Sequence, residues 1–376
     1  MEKCLYELNP QICNKGERIL RITKDSRFPL KELLPTYAKE IWTRVEDLII
    51  LDDTLAESEG KSMDGISYHW DHAKKRYVLG HCIVALYHLG KIRRGFINFS
   101  LSISERRPKG KRGRLRKGIE YLRDTPKWKL ALSMLDEVKS TGNKAQTCVF
   151  DCWYCCLEFV KGLRSRGFHF VGRLSFHPKR MLLIDGKKMT ASQYFDSLKS
   201  FKRLTGESCL FYQKIITWPG FGRVKLVAVK LLSDGQKTYQ KALIVTDNLD
   251  WTARKIIKTY KKRSKIEQAF KDVKQCFALE RFHLTSLQGI QNYIALSMLA
   301  YNMGRLVWKL TGEQDAIPTI VAHWRTACLF HFAINFSLKI LEKLKTELQA
   351  ILAENQRILE IILKQMDIIF LQIARE

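Results

Sequence analysis

The 376-residue chain reads as an α/β protein, on three observations. Two short, continuously apolar runs end in acids, DLIILDDT at 47–54 and QTCVFD at 146–151, the pattern of strands buried on both faces whose polar ends emerge at a sheet edge. Stretches with apolar residues at helical spacing stand near those runs, at about 127–139, onward from 151 to about 166, and at about 250–275. The composition, 46% apolar and 27% charged, is that of a globular chain long enough for two or three domains and a large core, which excludes disordered, fibrous and mini-protein classes.

Taken in order, 47–54 is a central strand, and two β-type runs at 77–89 and 97–104 follow it, with Gly90 and Gly95 supplying turns. Residues 105–118, ERRPKGKRGRLRKG, are too basic and Gly-rich to pack and read as an exposed loop. A helix at 127–139 precedes the strand at 146–151, then come a helix to about 166 and the strand FHFVGRL. From 175 to 241 short strands are broken by Pro178, Gly186, Gly206, Pro219, Gly220, Gly222 and Gly235, as in a β-rich insertion. The strand ALIVTDN leads into a single helix over about 250–275, and the remainder is helical, with an amphipathic tail at 337–375.

Lys and Arg number 65 against 38 Asp and Glu, a net charge of +27. Such an excess concentrates polyanions around the protein, nucleic acid first and anionic membrane surfaces second. The N-terminus lacks the order of a signal peptide, and no apolar run reaches the roughly 18 residues that span a bilayer. The ten cysteines show no small-scaffold framework and suit a reducing compartment. The cytoplasm is the expected location, and no membrane partner is expected.

The segment most informative about chemistry is YKKRSKIEQAFKDVK. Tyr260, Arg263, Glu267 and Lys274 follow one another at three, four and seven residues, which on a helix brings them within about 60° of each other. Ile266, Ala269, Phe270 and Val273 fill the adjoining arc, so the helix packs on a core while presenting one carboxylate amid cations. Alone, the stripe reads equally as a solvated face with ordinary ion pairs. Two strand ends add further acids, Asp52 or Asp53 and Asp151. Two aspartates on neighbouring strand ends and a glutamate from a packed helix can clamp two divalent cations about 3.5–4 Å apart, as phosphoryl transfer on DNA requires, whereas a lone aspartate at a strand end is commonly a turn or cap residue.

With these residues the chain resembles the DDE transposases of bacterial insertion sequences, in particular the cut-and-paste group with a Tyr-x2-Arg-x3-Glu-x6-Lys signature. Every spacing of that signature is matched, and the resemblance covers about residues 45–310. It implies a shortened N-terminal segment at 1–46, an RNase H-like catalytic core at 47–174 and 242–310, a β-rich insertion at 175–241 and a C-terminal helical region at 311–376. It implies Asp52, Asp151 and Glu267 as catalytic and metal-binding residues, with Asp53 as the alternative to Asp52; an Asp-x-Thr pattern selects Asp52 with Thr54. Tyr260, Arg263 and Lys274 are implied as DNA contacts, and Mg²⁺, replaceable by Mn²⁺, as a pair of ions. The implied reaction is cleavage at element ends and strand transfer into target DNA, by a homodimer on DNA associated with the bacterial nucleoid.

The chain departs from its relatives in carrying Ser264 where many have Trp, and Ala242 where some place a Trp that stacks on a flipped base. The short segment before the first acid supports a rival reading, a truncated and inactive DNA-binding protein derived from a transposase. In the loop, Arg106, Arg107, Lys109, Lys111, Arg112, Arg114, Arg116 and Lys117 are expected to contact phosphates. Weaker features are Cys148, Cys152, Cys155 and Cys156, more readily buried thiols than a zinc site; His69, His72 and His81 on one hairpin; and Trp218, Phe221 and Arg223, more readily turn packing than a base platform.

Overall fold

The computed structural model describes residues 30–35, 44–58, 62–71, 74–91, 94–103, 124–178, 181–184, 186–232, 239–282 and 284–310, with helical residues at 360, 363–368 and 371. Contacts divide the chain into a unit from Met1 to Val307 and one from Trp308 to Glu376. The first holds the fold described below. The basic loop at 106–117, His72 and most of the C-terminal tail lie outside the described residues.

Strand β1 (Leu48–Glu57) begins with four residues buried on both faces, Leu48 to Leu51. That double burial is why its sequence is a continuous apolar run instead of an alternation. Next come β2 (Ser67–Asp71), β3 (Arg76–Leu89), β4 (Arg94–Ser102), α1 (Lys127–Ser140), β5 (Thr147–Phe150), α2 (Leu157–Ser165) and β6 (His169–Arg173). The chain continues through β7 (Met181–Ile184), β8 (Lys187–Thr190), α3 (Ala191–Ser197), β9 (Lys202–Arg203), β10 (Cys209–Trp218), β11 (Gly222–Leu232) and β12 (Tyr239–Thr246). Helices α4 (Ala253–Lys261), α5 (Ser264–Cys276) and α6 (Leu287–Leu310) follow.

The strands form one mixed sheet in the order β2-β3-β1-β5-β6-β12-β11-β10-β7-β8, with β4 also on β3 and β9 on β10. β5 runs parallel to both β1 and β6; β3 is antiparallel to β1, and β12 is antiparallel to β6. A single apolar cluster on one face joins Ile49 and Leu51 of β1, Val138 of α1 and Phe159 of α2 to Phe195, Trp218 and Phe221 further on. On the other face Phe96 packs against Phe270 of α5 and Tyr301 of α6, with ring centroids 5.4 and 5.5 Å apart.

Several sequence expectations are corrected. The helix expected at 250–275 is two helices, because the amides of Lys262, Arg263, Lys265 and Ile266 bond three residues back in a tight 3₁₀ turn. At about 120° per residue, three such steps bring Tyr260 and Arg263 into line along the axis. The stretch 175–241 is not wholly β-type: α3 is opened by a capping box of Thr190 and Gln193, the T-x-x-Q signature of a helix start. Ala242, at the start of the strand expected to follow that stretch, lies inside β12 and pairs with Val229. In agreement with the turn packing expected of them, Trp218 and Phe221 are buried, with the Arg164 guanidinium 3.5 Å from the Phe221 ring centroid. Among the described residues no helix is long and apolar enough to cross a membrane.

Candidate active site

The register of the two central parallel strands sets the site. Leu51 of β1 pairs with Phe150 of β5, so the next residues, Asp52 and Asp151, leave adjacent strands at the same level. Side-chain alternation then sends Asp52 and Asp53 to opposite faces of the sheet. On one face Arg263, at the start of α5, donates from Nη1 to Asp52 Oδ2 at 2.6 Å, and its Nη2 pairs with Glu267 one turn on. On the other, Asp53 accepts from Lys127 Nζ at 2.6 Å and Tyr154 OH at 2.8 Å, with Cys82 Sγ 3.5 Å away. The Asp53 amide donates to Asp52 Oδ1 at 2.9 Å, and the Trp153 amide to Asp151 Oδ1 at 2.9 Å.

Asp52, Asp53, Thr54, Asp151, Arg263, Glu267 and Lys274 line one open cavity of about 620 Å³. Burial pushes the Asp52 carboxyl up to about 7 against the pull of Arg263, and Asp53 and Asp151 add to the rise. Burial also raises Asp151, opposed by the Trp153 amide, with Asp53 again adding. The acids therefore crowd one another electrostatically, as carboxylates do where a cation is wanted. Burial opposes the charge of Arg263, but Asp52 and Glu267 outweigh it and keep the guanidinium protonated.

The expected residues meet this geometry unequally. Asp52, Asp151 and Glu267 face one cavity, and so does Asp53, although its carboxylate is tied to the face of α1 and α2. Among the described residues no three His, Cys, Asp or Glu side chains are gathered to hold one metal ion; the Arg263 guanidinium bridges Asp52 and Glu267 instead. Their donors are all hard oxygens, the kind that suits Mg²⁺. Lys274 does not point freely outward: its ammonium donates to the Leu55 carbonyl at 2.7 Å and pairs with Glu280 at 2.7 Å, tying α5 to β1. Ala278, in the left-handed region at φ 57°, makes the turn that returns Glu280 to Lys274. Tyr260 lies among Arg263, Arg173, Asp151 and Cys152, and burial raises its hydroxyl. His69 meets Ser67 Oγ and His81 meets the Asp64 carbonyl, so the two do not share a ligand. Cys148, Cys152, Cys155 and Cys156 are free thiols.

Sequence reasoning missed Lys127, Tyr154 and Cys82 around Asp53. Burial opposes the Lys127 charge, but the Asp53 carboxylate outweighs it; burial drives the Cys82 thiol up to about 12, with Asp53 adding, so it stays neutral. The only local signal was Pro126 before Lys127, a residue suited to a helix start.

Fold and site together define a mixed α/β protein with acids converging at parallel strand ends beside a helix-borne glutamate. The chain belongs to the DDE transposases. Residues 123–303 match the family model described as Transposase DDE domain, and residues 11–194 the one described as DDE superfamily endonuclease. No curated protein matches the chain.

Proposed function

We propose that the chain is a transposase of the cut-and-paste insertion-sequence group, which cleaves DNA at element ends and joins the freed strand to target DNA. The observation that carries this is the β1–β5 register, which levels Asp52 with Asp151 across a cavity from Glu267. The strand order β4-β3-β1-β5-β6, with β5 and β6 parallel to β1, supports an RNase H-like core at 47–174 and 242–310, with the β-rich segment 175–241 as an insertion that extends the same sheet.

Asp52, Asp151 and Glu267 would hold divalent cations, two Mg²⁺ or Mn²⁺, with Asp53 the alternative to Asp52. Bound there, the ions would lower the pKa of the attacking water and stabilise charge on the leaving oxygen. Asp52 must lose its proton to serve as a ligand, and Arg263 must release it. The guanidinium, once free, is placed to pair with the scissile phosphate, a planar fork matched to that anion. Tyr260 and Lys274 flank the same wall, Lys274 setting the position of α5 through Leu55. The cationic residues of 106–117 and the net charge of +27 suit duplex phosphates, with a homodimer on DNA as the working form.

Glu267→Gln keeps the side chain's size and removes the charge. Mg²⁺-dependent nicking of the element's own end is expected to fall by at least about 100-fold, a loss of about 3 kcal/mol in transition-state stabilisation, with affinity for that end unchanged. Nicking at the wild-type rate would overturn the assignment. The ion pairs of Arg263 with Asp52 and Glu267 favour one rival, an inactive DNA-binding derivative whose acids are neutralised internally. Tight binding of the end without nicking in either Mg²⁺ or Mn²⁺ would establish that rival.

A further inference from the structure

Beside the acid cavity lies a larger groove of about 1070 Å³. The two share Asp53, Thr54, Lys274 and Glu280, so a strand lying across the acids runs directly into it. Aromatic rings on its walls face water: Trp153 is 69% exposed, Trp70 46% and Tyr77 45%. Trp70 and Tyr77 are cross-strand partners on β2 and β3, packed edge to face at 5.2 Å. Trp153 stands two residues beyond Asp151 and gives its amide to that carboxylate, so an acid and a ring share one turn. Lys74 and Lys127 bring cations to the same walls. Their ammonium groups, paired with Glu57 and Asp53, have three donors each and so keep some for a further anion.

Large rings held toward water beside lysines serve the core poorly, since their exposed apolar area is left unburied. The combination suits a ligand with both flat apolar faces and phosphates. Duplex DNA presents its phosphates and base edges but keeps its base faces stacked; only unpaired nucleotides offer π-faces to aromatic side chains. We propose that this groove holds the unpaired nucleotides of a DNA strand, with bases stacked on Trp153 and on the Trp70–Tyr77 pair and phosphates beside Lys74 and Lys127. The proposal rests on the DNA-cleaving reading of the adjacent acids, and it names where the strand next to the scissile phosphate goes.

The test needs neither metal nor cleavage. Tryptophan fluorescence of the full chain in chelator is titrated with an oligothymidylate of about a dozen nucleotides, within the range of single-strand site sizes, and separately with a blunt duplex of equal length. Oligothymidylate is expected to quench the wild type. Trp153→Ala and Trp70→Ala should each weaken its binding about 5- to 100-fold, as loss of one stacked base does. Trp153→Phe and Trp70→Phe should keep most of the affinity, and duplex binding should hold in all four variants. Wild-type affinity for oligothymidylate in both alanine variants would overturn the proposal, and so would an equal loss for duplex. A third result would also overturn it: if neutralising the cations of 106–117 relieves a quench already present without DNA and strengthens oligothymidylate binding, that segment is the occupant. Because Glu267 is untouched, failure of the groove and failure of the catalytic assignment are read in different assays.

Discussion

Replacing Arg263 with Gln removes the guanidinium that pairs with both Asp52 and Glu267. Hydrogen-bonded charges centred about 4 Å apart attract by about 4 kcal/mol at an effective dielectric constant of about 20. Asp52 and Arg263 are only 14% and 19% exposed, so solvent screens that attraction little. Glu267 is 50% exposed, and its pair adds no more than about 1 kcal/mol. The pH dependence follows from the sign of the Asp52 shift. Its folded pKa, about 7, lies above the ordinary 3.8, so the stability linked to its proton is whole below 3.8 and lost as pH rises through 7. Without Arg263 the folded value climbs further, and the loss continues above pH 7. The variant should therefore cost about 1 kcal/mol at pH 6, where Asp52 is largely neutral in both proteins. At pH 9 the cost should reach about 4 kcal/mol, since each pH unit of displaced titration is worth about 1.4 kcal/mol. Urea unfolding at the two pH values measures it, with Asp52→Asn and the double variant completing a cycle. An equal cost at both pH values, or an excess at pH 9 that survives in the Asp52→Asn background, would refute the reasoning.

Asn302 accepts from the Phe96 amide at 2.8 Å and donates to the Phe96 carbonyl at 2.7 Å, covering the open edge of β4, and Gly95 leaves it room because a Cβ there would collide with its Oδ1. Asn302→Ala should cost about 2–5 kcal/mol by urea unfolding, as two backbone groups lose their partners. Ala278→Gly should stabilise by about 1 kcal/mol, read as a rise in Tm, because glycine adopts its left-handed backbone without steric cost. Burial, and then Lys127, hold the His69 ring down to about 4 from 6.5; the stability this gives is present above 6.5 and lost as pH falls through 4, so His69→Phe should remove up to about 3 kcal/mol of acid sensitivity in that window. DNA affinity should fall steeply with salt, by about 0.9 in log–log slope per phosphate contact, and neutralising 106–117 should flatten that slope; a slope near zero in the unaltered chain would exclude multiple phosphate contacts.

What the sequence by itself determined follows from local pattern. LIIL and TCVF were legible as buried strands because a strand covered on both faces has no polar side to show. The apolar arc of Ile266, Ala269, Phe270 and Val273 was legible because a helix repeats every 3.6 residues, and Glu267 followed from that arc. Ser67–Asp71 was missed as a strand, since an edge strand half open to water carries mixed residues, and α3 was missed because neighbouring turn residues outweighed its T-x-x-Q signal. The break between α4 and α5 falls among good helix formers and leaves no mark in composition. Tertiary structure alone decided the rest. Whether Asp52 or Asp53 faces Arg263 depends on which side of β1 each helix covers, and the partners that tie Asp53 to the other face, Lys127 and Tyr154, lie 74 and 101 residues away in sequence. The level placement of Asp52 and Asp151 depends on the pairing of Leu51 with Phe150. A one-residue slip in that pairing would leave every local propensity intact while moving the two acids apart, because register is set by the packing of whole faces against helices that come later in the chain.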